Sequence, residues 1–143
     1  MCAGRPLRHS GPLELTTRIS PGEFLDKLSI LEIKLERIRD AAKLANVRRE
    51  LDLLRGVWNA SPLAGADVTA LTRELKTVNE ALWEIEDRLR IKEAQGGFDQ
   101  EFIELARSVY RNNDRRAALK REVNLVLRSD LIEEKSYGDG GRG

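Results

Sequence analysis

Leu71, Leu75, Val78, Leu82, Ile85 and Leu89 recur at alternating spacings of four and three residues. At 100° per residue this spacing gathers six apolar side chains on one narrow helical stripe, the pattern of a coiled-coil seam, and is incompatible with the two-residue period of a strand. So long a stripe must be covered, and the chain supplies a partner at once. Asp67 is placed to cap this helix, Gly96-Gly97 to end it and Asp99 to cap the next, which runs to about Leu127. Each helix is about 28 residues, or roughly 42 Å at 1.5 Å per residue. A four-residue link between helices of equal length makes an antiparallel hairpin over residues 67–128.

Two further helices precede the hairpin. Ser20-Pro21-Gly22-Glu23 offers a serine cap, a proline at the first helical position and a glutamate three residues after the serine. Phe24, Leu28, Leu31, Leu35 and Ile38 form the stripe of the first helix, but Leu25, Ile30 and Ile33 lie off it. A helix apolar on more than one side needs several neighbours or a second subunit, so a homo-oligomer, most simply a dimer, is expected. Ile30, Ile33 and Trp83 are its candidate interface residues. The next stripe, Leu44, Val47, Leu51, Leu54 and Trp58, is rotated by roughly 120° from the first. A break at residues 39–41, with Asp40 capping a second helix that ends at Asn59-Ala60-Ser61-Pro62, reconciles the two. The expectation is an all-α bundle in one domain over residues 13–137. Residues 13–19 alternate like a short extended arm, 1–12 read as a disordered leader and 138–143 as a flexible tail.

Composition removes whole classes of chemistry. The only cysteine, Cys2, and the only histidine, His9, both lie in the first dozen residues. An intrachain disulfide is impossible, a Cys/His zinc site lacks ligands and a Ser-His or Cys-His pair lacks an ordered scaffold. The helix pattern has no Glu-x-x-His for a di-iron bundle. No metal site and no cofactor is expected. With a net charge of +1 no global field draws the chain to nucleic acid or to anionic lipid. No apolar run approaches the roughly 20 residues that span a bilayer, and no apolar segment follows Arg5 and Arg8 as in a secretory signal. A cytoplasmic location is expected.

One place breaks the pattern. The fourth helix begins with Phe102, Leu105, Ala106, Val109 and Tyr110 on its inner face, which then continues through Asn113, Arg116, Ala117 and Lys120 before Val123 and Leu127. Residues 103–128 hold seven Lys/Arg and three Asp/Glu, a local excess of four positive charges. A cation aimed at a core is costly unless paired and hydrogen-bonded. Three readings stay open. The first is an internal polar layer closed by Glu86, Glu32 or Asp26, fixing helix register. The second is an anion pocket in which Asn113, Arg116 and Lys120 receive a phosphate or carboxylate, with Tyr110 as a wall or hydroxyl; the planar fork of arginine suits either group. The third is contact with a partner protein or a nucleic-acid backbone along Arg107, Arg111, Arg115 and Arg121, though few aromatics are present to stack on bases.

The segments SPGEFLDKLSILEIKLERI, LANVRREL, LWEIEDRLR, FIELARSVYRNNDRRAALKREVN and EEKSY resemble a family of short bacterial and phage proteins classed as a domain of unknown function. The resemblance spans most of residues 20–137. It implies one compact domain that includes EEKSY and carries no established activity with it. The leading functional expectation is a non-enzymatic interaction or assembly module, with the anion site and the arginine-rich surface as alternatives.

Overall fold

The computed structural model describes residue 4 and residues 13–129. The expected leader (save Gly4), the EEKSY segment and the tail lie outside them. Four helices follow one another: α1 (Pro21–Arg37), α2 (Ala41–Ala60), α3 (Thr69–Gln95) and α4 (Gln100–Val126). Among the described residues there is no strand, and residues 13–19 run non-helical and exposed into α1.

The local signals act as their chemistry requires. Ser20 Oγ accepts the Glu23 amide at 3.2 Å, while Pro21 opens α1 where its missing N–H costs nothing. The chain leaves the helical conformation at Ile38, and Asp40 Oδ2 accepts the Lys43 amide at 2.9 Å to start α2. Gly96, at φ 67°, ends α3; its amide and that of Gly97 return to the Glu93 and Lys92 carbonyls, which satisfies groups the helix end would orphan. Asp99 Oδ1 accepts the Phe102 amide at 3.0 Å and begins α4. One cap sits differently from expectation. α3 starts at Thr69 behind Val68, whose side chain cannot cap, and Asp67 reaches the Thr69 amide at a long 3.4 Å.

α1 is the centre of the bundle. It touches α2, α3 and α4, α3 and α4 touch each other, and α2 touches α1 alone. α3 and α4 run antiparallel, Glu74 meeting Arg115 and Arg88 meeting Glu101. Phe24 on Trp58 and Glu32 at Arg55 place α2 antiparallel to α1, and the start of α1 meets the end of α4 at Gly22–Asn124 and Glu23–Lys120. Phe24, Leu25, Leu28 and Leu31 of α1 meet Val47 and Leu51 of α2, Leu75, Val78 and Leu82 of α3, and Leu119 and Val123 of α4 in one core. The apolar surface on several sides of α1 is thus covered by the chain's own three other helices. Ile33, expected at a subunit interface, is 1% exposed and packed within the chain: it points between its neighbours rather than outward. Burial of such a side chain contributes about 1.5–3 kcal/mol. No helix among the described residues is long and apolar enough to cross a membrane.

Candidate functional site

The interruption of the α4 stripe meets polar groups on two other helices. Asn79, in the middle of α3 and 5% exposed, donates both hydrogens of its amide, to Asp26 Oδ1 and to Ser29 Oγ, each at 2.8 Å. Ser29 in turn donates to the Asp26 carbonyl oxygen at 2.7 Å. The remaining acceptor, Asn79 Oδ1, takes a hydrogen from Arg116 Nη1 at 3.2 Å. Every polar atom of the amide is therefore used, and the orientation of Asn79 is fixed from three sides. Burial pushes the Asp26 carboxyl above its ordinary value; the Asn79 hydrogen bond and the charges of Arg116 and Lys120 oppose that, and Glu23 adds to it.

Below this layer α1 and α4 come together. The Gly22 amide donates to Asn124 Oδ1 at 2.7 Å, Lys120 pairs with Glu23, and Asn124 is 1% exposed. Above it the three helices part into a cleft of about 270 Å³, lined by Ile30 and Ile33 of α1, Asn79, Leu82, Trp83 and Glu86 of α3, and Asn113 and Arg116 of α4. No ion pair forms at Arg116 among the described residues, and Asn79 is its single hydrogen-bond partner there. A guanidinium carries five N–H donors, so four of them take no hydrogen bond among the described residues.

The sequence candidates thus divide. Asn113, Arg116 and Glu86 line one cleft with Ile30 and Trp83, both half-buried. Lys120 lies lower, at Glu23. Tyr110 is 56% exposed on the outside of α4, with the Arg111 guanidinium 5.9 Å from its ring, and is not in the cleft lining. Of the three carboxylates considered for the polar layer, only Asp26 enters it. Glu32 engages Arg55 and Lys76 on another face, and Glu86 stands at the cleft edge, 4.0 Å from Arg90. Along the outer arginines, Arg107 meets Glu104 at 3.3 Å and Arg115 meets Glu74 at 3.4 Å, which breaks the positive stripe.

Ser29, Asn79 and Asn124 carry the buried polar contacts, and none was singled out as a site residue from sequence. A signal did exist. Asn79 follows Leu75 by four residues and precedes Leu82 by three, and Asn124 follows Lys120 by four, so each amide occupies a stripe position among leucines and valines. Among the described residues no group of three His, Cys, Asp or Glu is arranged to hold a metal ion.

No curated protein and no solved structure matches the chain. A family model does match, over residues 15–140, which takes in all four helices, the Asp26–Asn79–Arg116 chain and the cleft above it. The protein belongs to that family, DUF6165, a family of unknown function.

Proposed function

We propose that the protein binds a small anionic group, a carboxylate or phosphate, in the cleft between α1, α3 and α4, with Arg116 as its anchor. The observation that carries this reading is the state of Arg116. It lines an open cleft, is held by one hydrogen bond to a fully committed amide, and has no carboxylate in ion-pair contact among the described residues. Arg39, Arg48, Arg49, Arg73 and Arg111 also lack an ion pair among the described residues, but Arg116 is the one cation in the lining of this cleft. Asn79 holds the guanidinium in place before a ligand arrives, which lowers the ordering cost of binding. Asn113, one turn away on α4, adds an amide able to donate to the same anion.

The test is thermal unfolding of the wild type and Arg116→Gln with phosphates, simple carboxylates and carboxylate-bearing zwitterions. A ligand of the native state at a hundred times its Kd stabilises by about 2.7 kcal/mol. At least one compound should raise the wild-type midpoint and leave the variant's unmoved. If no compound raises the wild-type midpoint, the site reading fails and Arg116 serves only the polar layer.

A second reading, an assembly module formed by two copies, is supported by a different feature. α2 packs on α1 alone, and its outward Leu53 and Val57, one turn apart, are 57% and 52% exposed. Light scattering that finds a monomer at every concentration tested would end it.

A further inference from the structure

Resting on the reading that Arg116 anchors an anion, we infer that the ligand is a zwitterion of the α-amino acid class, its carboxylate on Arg116 and Asn113 and its ammonium toward Glu86. The lining of the cleft carries one cation, Arg116, and one carboxylate, Glu86. A plain anion gains from the first and is repelled by the second. A molecule bearing both charges is complementary to both. Glu86 is free to take part: its Arg90 neighbour stands at 4.0 Å, and both side chains are largely exposed, a contact worth little in water.

The helix directions set the order of the groups. Arg116 lies level with Asn79 through their hydrogen bond. α4 is antiparallel to α3, so moving from Arg116 to Asn113 is moving from Asn79 toward Trp83 and Glu86. Asn79 and Glu86 are seven residues apart, roughly 10.5 Å along the axis at 1.5 Å per residue. Arg116 and Glu86 line the same cleft, so a guest between them meets the guanidinium at the Asn79 level and the carboxylate toward the other end.

The rest of the lining suits the remaining parts of such a molecule. The Asn113 amide has no hydrogen-bond partner among the described residues. Trp83 offers an indole beside Glu86, and aromatic faces attract ammonium groups. Ile30, Ile33 and Leu82 form an apolar floor for a side chain. At about 270 Å³ the cleft falls just below the roughly 300–1,000 Å³ of drug-sized sites, a size that suits a free amino acid.

The experiment is calorimetric titration of the full chain with the common free amino acids, their N-acetyl derivatives and the matching amines that lack the carboxylate. A free amino acid should bind on the order of tenfold or more tightly than its N-acetyl form, the size expected for a charged hydrogen-bonded partner. Glu86→Gln should close most of that gap, weakening the free amino acid and tightening the N-acetyl anion that the carboxylate had repelled, and the amine without its carboxylate should not bind. Helix content and unfolding midpoint without ligand serve as folding controls, and Glu86 is exposed enough for the exchange to be tolerated. If the N-acetyl form binds as tightly as the free amino acid, or Glu86→Gln leaves the gap intact, the zwitterion assignment falls while the anion site stands. If neither amino acids nor simple anions bind the wild type, both fall.

Discussion

A methyl group built on the α carbon of Gly22 would collide with the carbonyl oxygen of Lys120 and stand 2.9 Å from its carbonyl carbon. The opposing atoms are backbone in the C-terminal part of α4, so no side chain can swing aside. The absence of a β carbon at this position lets the first turn of α1 reach α4 closely enough for the Gly22 amide to donate to Asn124. That contact sets the distance between the two helices just below the Asp26–Asn79–Arg116 chain. Gly22→Ala should therefore destabilise by about 2–3 kcal/mol, the cost of overpacking a site that cannot relax. Thermal unfolding would read this as a drop of roughly 6–12 °C. A change below about 1 kcal/mol would mean that α1 shifts freely on α4.

Gly96 makes the opposite kind of demand. Nothing lies within 4 Å of a β carbon built there, but its φ of 67° is left-handed. Gly96→Ala should cost about 1 kcal/mol from backbone strain alone, measured as a lower urea midpoint with an unchanged slope. The two glycines show what was legible in the sequence. The role of Gly96 follows from chain neighbours, because a glycine pair after a heptad stripe marks a helix end whatever packs against it. The same holds for Ser20, Asp40 and Asp99, whose caps bind amides three residues on. The role of Gly22 depends on Lys120 and Asn124, about a hundred positions away, and no local pattern carries it. Arg116 stood out in sequence because a cation on an apolar stripe is costly. Its partner Asn79 did not, since a neutral amide on α3 becomes informative only once Asp26 and Ser29 are known to face it.

The buried carboxyl of Asp26 should leave a signature in the pH dependence of stability. Asp26 faces Asn79 on α3, Arg116 and Lys120 on α4, and Glu23 on its own helix. Desolvation wins among these influences, and the folded pKa lies above the ordinary 3.8. Between the unfolded and folded values the native state binds more protons than the unfolded state, so stability falls as pH rises through that window. The penalty is fully present above the folded pKa and is relieved as the solution is acidified toward 3.8. Comparing wild type with Asp26→Asn from neutral pH downward should show the wild type gaining relative to the variant. Asp99 acts with the opposite sign and in another window. The Phe102 amide and Lys92 hold its pKa below 3.8, so its contribution is lost only as pH falls through that lowered value. A wild-type-minus-variant difference that is flat above pH 3.8 would contradict the placement of Asp26.

Asn79 is the joint between the structural layer and the cleft, and its removal should disturb both. Asn79→Ala withdraws the donor to Asp26 and to Ser29 and the acceptor for Arg116 in one step. Orphaning buried polar groups costs about 1–3 kcal/mol each, more where one is charged, so a loss of about 3 kcal/mol or more is expected in urea titrations. The Asn79 hydrogen bond is the largest influence holding the Asp26 pKa down. Without it the window in which Asp26 protonates should move to higher pH, which a simple loss of packing would not produce. Asp26→Asn in the Asn79→Ala background removes the buried charge and should restore part of the lost stability at neutral pH. The double-mutant cycle then separates the charge from the cavity. A cycle with no coupling would show that Asn79 and Asp26 stabilise the bundle independently, against the 2.8 Å bond between them.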